Sequence, residues 1–168
     1  MEFFLLALID RGGLKSFYAL QKQAGLQPGG IRPSLDRLEV EGLLSRSDQG
    51  SRRKREYALT ESGRKLLEQK WLFSLQSYID LESTLRAITV ALLMGDRHTA
   101  TQYLRDACND RDRAALQKEE EATRYAGKSD PLSVYMWMRA VCESRRRKAD
   151  AEALAQIRQE INKEKRHV

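Results

Sequence analysis

The chain has only two cysteines, Cys108 and Cys142, far apart and in no CxxC pair. That argues against a disulfide framework, and two buried, reduced thiols are expected, which suits a cytoplasmic protein. It has only two histidines, His98 and His167, and neither sits near a cysteine or carboxylate pattern that would build a zinc or catalytic set. There is no phosphate-cradling glycine loop. No enzyme activity, metal or cofactor is therefore expected. Long hydrophobic runs are missing too. The opening MEFFLLALIDRGG is short and lacks a basic leader or a small-residue cleavage site, so it does not read as a signal peptide. No stretch approaches the ~18 apolar residues of a membrane span, and Ile88 to Met94 is the most apolar later run. With only three prolines and ten glycines, long regular elements are expected.

Hydrophobic residues make up 41% and charged residues 32% of the 168, a globular balance that suits one or two small domains. Apolar spacing predicts a helix over Glu2 to Arg11, stopped by Gly12-Gly13, with Phe4, Leu5, Leu8 and Ile9 on one face. A second runs from Lys15 to Ala24, with Phe17, Leu20 and Ala24 inward. Gln27-Pro28-Gly29-Gly30 reads as a turn. A third helix then spans Ile31 to Glu41, with Pro33 in its first turn and Ile31, Leu35 and Leu38 toward a core. Leu43 to Arg46 and Arg55 to Leu59 read as two strands, joined by a polar hairpin with consecutive cations. Thr60 is a candidate N-cap for a following helix.

Three helices and a β-ribbon describe a winged helix-turn-helix over residues 1–70. The third helix would offer Arg32, Ser34, Asp36 and Arg37 on its outer face to a major groove, while Arg52, Arg53, Lys54 and Arg55 reach adjacent phosphates. The net charge is +6, and residues 45–55 carry five cations against one anion, so +4 of it lies there and +2 elsewhere. Charge alone names no partner. A basic hairpin can also guard a strand edge or bind an acidic protein, so two readings stand: a module that binds double-stranded DNA, and one that binds an acidic protein partner.

The stretch PGGIRPSLDRLEVEGLL, Pro28 to Leu44, resembles the recognition-helix signature of the PadR family of transcriptional regulators. REYALTESGRKLL, Arg55 to Leu67, resembles that family's wing strand and following helix, and SFYAL, Ser16 to Leu20, its second-helix motif. The resemblance covers about residues 3–68. It implies repression by an operator-bound homodimer that a small phenolic or drug-like aromatic effector relieves. It also implies that Gly30 and Arg32, where the family has serine and tyrosine, meet DNA. Lys15 and Ser16, at the start of the second helix, join the candidate DNA contacts. Tyr57 and Leu59 are expected to pack the wing, and Gly63 to allow close approach of helix and strand.

Residues 71–168 carry no strand signal and are expected to form an all-helical dimerisation domain, making the fold mainly α with a small two-stranded antiparallel wing. One helix is expected over Trp71 to Met94, a second over Arg97 to Ala126 with Leu104, Cys108, Ala115 and Ala122 as a thin stripe, and a third from Pro131 past Ile161, capped by Asp130. Broad apolar stripes call for a two-fold partner, with Leu75, Leu85, Ile88, Leu132, Val141, Leu154, Ile157 and Ile161 as candidate dimer contacts. Trp71, Tyr135 and Trp137 either fill the core or sandwich a flat ligand. The run Arg145 to Lys148 reads as a solvated face balanced by Asp150 and Glu152, with auxiliary DNA contact as the other reading.

Overall fold

The computed structural model describes residues 1–48, 55–75 and 80–163. They form α1 (Glu2–Asp10), α2 (Phe17–Gln23), α3 (Pro28–Val40), the antiparallel strands β1 (Leu44–Asp48) and β2 (Arg55–Leu59), α4 (Glu61–Lys70), a 3₁₀ segment (Trp71–Leu75), α5 (Leu81–Leu93), α6 (Arg97–Tyr125) and α7 (Pro131–Lys163). The fold is mainly helical with a two-stranded wing: a winged helix-turn-helix followed by long helices. No helix among the described residues is long and apolar enough to cross a membrane.

The chain divides into two compact units, Met1–Asp96 and Arg97–Val168. The expected domain limit at residue 70 lies inside the first, because α5 packs on α1 and on the 3₁₀ segment. α1 is the hub of this unit. Phe4, Leu5, Leu6, Ala7, Leu8 and Ile9 are all buried, so the helix is apolar around its circumference rather than on one stripe, and α3, α4, α5 and β2 all pack on it. Leu20, Ile31, Leu35, Leu38, Leu44, Leu59 and Leu67 complete the core.

α3 begins three residues earlier than its periodicity suggests. Pro28 takes the first helical position, where its missing N–H costs nothing, so the Pro-Gly-Gly run is the first helical turn and Pro33 lies beyond it, inside the helix. The helix ends in a Schellman motif: Gly42, at φ +70°, donates to the Glu39 carbonyl at 3.0 Å, and Leu43 N–H donates to Leu38 at 2.9 Å.

The strands pair from Leu44↔Leu59 to Asp48↔Arg55. The wing base is bonded on two sides. Tyr57 N–H donates to the Lys15 carbonyl at 2.7 Å, and Thr60 N–H donates to Leu43 at 3.1 Å. The Thr60 hydroxyl donates to the Gly42 carbonyl at 2.7 Å and accepts from Gly63 N–H at 3.0 Å, capping α4. A Cβ on Gly63 would lie 2.1 Å from the Leu43 carbonyl oxygen, so glycine is required for this approach. Tyr57 and Leu59 are buried as expected.

The expected continuous helix over Trp71 to Met94 is broken. The 3₁₀ segment ends at Leu75, and α5 starts afresh where the Asp80 carboxylate accepts from Ser83 N–H at 2.8 Å. Residues 76–79, within the span of that expected helix, lie outside the described residues.

In the second unit α6 and α7 form an antiparallel hairpin. Arg97 reaches the Ile161 carbonyl, Arg111 lies 3.9 Å from Asp150, and Lys118 lies 3.3 Å from Glu143. The stripe Leu104, Cys108, Ala115 and Ala122 is buried as read. Cys142 is exposed, so only Cys108 is the expected buried thiol; burial pushes its pKa up. The Arg145–Lys148 run is balanced differently from the sequence reading: Lys148 pairs with Glu119 of α6, while Asp150 faces Arg111.

Candidate nucleic-acid interface

α3 carries two faces. Ile31, Ser34, Leu35 and Leu38 point into the core at i, i+3, i+4, i+7 spacing, which leaves Gly29, Gly30, Arg32, Pro33, Asp36 and Arg37 exposed. Ser34 corrects the expected outer face. It is only 6% exposed, and its hydroxyl donates to the Gly30 carbonyl at 3.0 Å, so it supports the helix from inside.

Two cations stand on the outer face in defined positions. The Arg32 guanidinium lies over the Phe17 ring of α2, 5.7 Å from its centroid, a cation–π contact that joins the two helices of the helix-turn-helix. Arg37 pairs with Glu2 of α1 at 3.1 Å. Both pairs are at the surface and are weak enough to exchange for a phosphate or a base edge. At Gly30 an added Cβ would meet only the Met1 side chain, at 4.0 Å, so the family's serine would fit there without moving the backbone.

Lys15 is exposed, and its backbone carbonyl holds β2. The Ser16 hydroxyl accepts from Ala19 N–H at 3.1 Å as the N-cap of α2. Arg52, Arg53 and Lys54 lie outside the described residues; Arg55 opens β2 opposite Asp48. The structure thus brings Lys15, Ser16, Gly30, Arg32 and Arg37 into the first unit's α2–α3 region and turns Ser34 away.

Sequence reading missed two features. Arg46 of β1 pairs with Glu39 of α3 at 3.5 Å and ties the wing base to that helix. Tyr18, 68% exposed, shares with Lys22 the outer side of α2 at i, i+4 spacing, opposite buried Leu20. The inward set Phe17, Leu20, Ala24 already pointed to that outer side. Among the described residues no group of His, Cys, Asp and Glu could hold a metal ion.

The other candidates divide between the units. Ile88 is buried in the first unit and Leu154, at 0% exposure, in the second, so neither is a surface for a partner. Leu75 and Leu85 are half-buried; Leu132 is exposed; Val141, Ile157 and Ile161 are half-buried on α7. Trp71 belongs to the first unit, where it packs against the core, and Tyr135 and Trp137 to the second, where they are exposed.

Residues 6–69 match the model of the transcriptional regulator PadR-like family. Two solved structures of Bacillus subtilis PadR are similar to the chain. The complex with operator DNA is 23% identical, with 95% of this chain and 98% of that chain covered and a TM-score of 0.40. The complex with p-coumaric acid is 22% identical, with 96% and 98% covered and a TM-score of 0.41. No curated protein matches the chain. The matched family is one of regulators rather than enzymes. Residues 6–69 of the chain are thus a domain matching the PadR-like family of transcriptional regulators.

Proposed function

We propose that the chain is a cytoplasmic repressor that binds a near-palindromic duplex operator as a homodimer and is released by a small aromatic molecule. α3 enters the major groove with Gly30, Arg32 and Arg37 toward the base edges. The wing cations Arg52, Arg53, Lys54 and Arg55 lie along phosphates, and Lys15, Ser16, Tyr18 and Lys22 meet the backbone beside α3. One observation carries this reading: α3 has its apolar face pinned to the core and its cationic face open, with the base of the wing tied to it through Arg46 and Glu39. Leu132, Tyr135, Trp137 and Met138 leave an apolar surface on α7 that a second copy would cover.

Salt dependence tests the reading. Each phosphate contact steepens the log–log slope on duplex DNA by about 0.9, so replacing Arg52, Arg53 and Lys54 with alanine should flatten it by about 2.7 per chain, about 5.4 for the homodimer, and weaken all duplexes alike. Replacing Arg32 should instead change the preferred site, by about 1–3 kcal/mol at one base pair. A triple variant that binds duplex unchanged would remove the wing from the interface. A chain that ignores duplex yet binds an acidic protein would replace the whole reading.

A further inference from the structure

The start of α6 and the end of α7 frame a cavity of about 330 Å³ that lies wholly within the second unit. α6 supplies His98, Thr101, Gln102 and Arg105, which share one face at i, i+3, i+4, i+7 spacing; α7 supplies Arg158 and Asn162 at i, i+4. All of these are polar, and the lining holds neither a carboxylate nor a phenyl or indole ring. Its two guanidinium groups are poorly compensated. Arg158 is half-buried and has no carboxylate partner among the described residues. Its charge bears instead on the buried Cys108 thiol, whose pKa burial raises and Arg158 draws back. Arg105 meets its sequence neighbour Asp106 at 3.9 Å, with both side chains about half exposed, a pair that water screens. The carbonyl end of α7, which would repel an anion, is itself covered: Arg97 donates to the Ile161 carbonyl at 3.1 Å. The Thr101 hydroxyl donates to the Arg97 carbonyl at 2.9 Å, so toward the cavity it is an acceptor. Two cations lining one polar hollow repel each other until an anion lies between them.

We propose that this cavity binds a sugar phosphate: a phosphate monoester on a hydroxylated, non-aromatic body. The phosphate lies between Arg105 and Arg158, whose forked donors match its oxygens and whose two charges match a dianion. Gln102, Asn162 and His98 surround the rest of the hollow with amide and imidazole groups, which donate and accept as sugar hydroxyls do. The volume lies at the small end of ligand pockets and holds one sugar ring with its phosphate. A flat apolar body finds no ring to stack on here, and a bare inorganic anion leaves the amides unused. The site stands about 30 Å along α7 from Trp137, roughly 20 residues at about 1.5 Å each, and so is clear of the exposed apolar face of that helix. A ligand held by both helices ties the last turns of α7 to the first turns of α6. Binding here requires neither duplex nor an aromatic effector.

The test titrates the full chain with glucose 6-phosphate and ribose 5-phosphate by calorimetry, beside glucose and inorganic phosphate. A sugar phosphate should saturate at one per chain and bind at least about ten-fold more tightly than inorganic phosphate, and glucose should not bind. Arg105→Gln, at an exposed position, and Arg158→Gln should each weaken the sugar phosphate about ten- to hundred-fold. Asn162→Ala should weaken the sugar phosphate and leave inorganic phosphate unchanged. Native-state hydrogen exchange should slow from Arg158 to Lys163 when the ligand is bound. Absence of binding by both sugar phosphates, equal binding of inorganic phosphate, or binding that survives Arg105→Gln overturns the site. If Arg158→Gln does not fold, Arg105→Gln and Asn162→Ala decide the matter. Duplex DNA is then added as a competitor. If it displaces the sugar phosphate, and Arg105→Gln weakens duplex equally, these cations serve a nucleic-acid backbone and the site is overturned. A chain that holds duplex but neither sugar phosphate loses this site alone; one that holds a sugar phosphate in this pattern but no duplex keeps the site and loses the repressor reading.

Discussion

The two compact units are held together by different kinds of side chain. In Met1–Asp96 most of the fully buried residues are large: Leu5, Leu6, Ile9, Leu20, Ile31, Leu35, Leu38 and Leu67. Among the buried residues of the α6–α7 hairpin alanine is the commonest, at Ala100, Ala107, Ala115, Ala122, Ala140 and Ala151, with Leu104 and Leu154 fully buried and Tyr103, Cys108, Arg111 and Ser144 also buried. Small residues let two helix backbones approach closely, but each removes little apolar area from water. The first unit can therefore hold α3 rigid from within. The hairpin instead keeps Leu132, Tyr135, Trp137 and Met138 outside, apolar area that stabilises the chain only when something covers it.

This contrast predicts opposite sensitivities. In the first unit the damaging change is a smaller side chain. Leu35→Ala should cost about 2–5 kcal/mol by urea denaturation, and duplex affinity should fall with it because Leu35 pins α3. A variant that unfolds like the wild type would mean that α3 is not held by that core. In the hairpin the damaging change is a larger one. Ala115→Leu should cost about 1–3 kcal/mol by forcing α6 and α7 apart, and native-state hydrogen exchange should quicken in those helices while α1 to α4 keep their protection. If protection is instead lost everywhere at once, the two units fold as one and the contrast fails.

Much of the first unit was legible because large apolar residues recur at the period of the element they build. β2 runs from Arg55 to Leu59 as read, and the α6 stripe holds despite its small residues. The start of α3 was not legible. Pro-Gly-Gly carries turn-forming residues, and only the structure shows that Pro28 opens a helix. Ile31, Ser34, Leu35 and Leu38 share a face whichever residue opens the helix; Ser34 is small and polar and so reads as an outer residue, although its spacing puts it on the inner face. The break before α5 was hidden because Asp80 sits among apolar residues whose spacing continues a helical stripe across it. Leu154 and Ile88 stand on stripes that call for cover, and a stripe says that a residue is covered but not by which helix. Arg32 and Arg37 could be placed on the outer face from periodicity alone; Arg46 meeting Glu39 depends on how the wing folds back beside α3.

One local device recurs in both units and gives the smallest predicted effect. Asp80 opens α5 and Asp130 opens α7, each accepting a backbone N–H three residues on, from Ser83 at 2.8 Å and Ser133 at 2.9 Å. The bonds from the Ser83 amide and then its hydroxyl hold Asp80 below its ordinary value of 3.8; the bonds from the Ser133 side chain and then its amide do the same for Asp130. A depressed carboxylate stabilises the fold above its ordinary pKa, and that share is lost as pH falls through the lower folded value. Asp80→Ala should therefore cost about 1 kcal/mol at neutral pH, Asp80→Asn much less, and the gap between wild type and Asp80→Ala should shrink toward zero at about pH 2. Urea denaturation at the two pH values measures it. At Asp130 the same exchange is read locally, as faster hydrogen exchange of the Ser133 amide at neutral pH and no change in acid. A gap at Asp80 that persists undiminished in acid would mean that the ionised carboxylate is not what starts α5, and that packing against α1 alone sets the beginning of that helix.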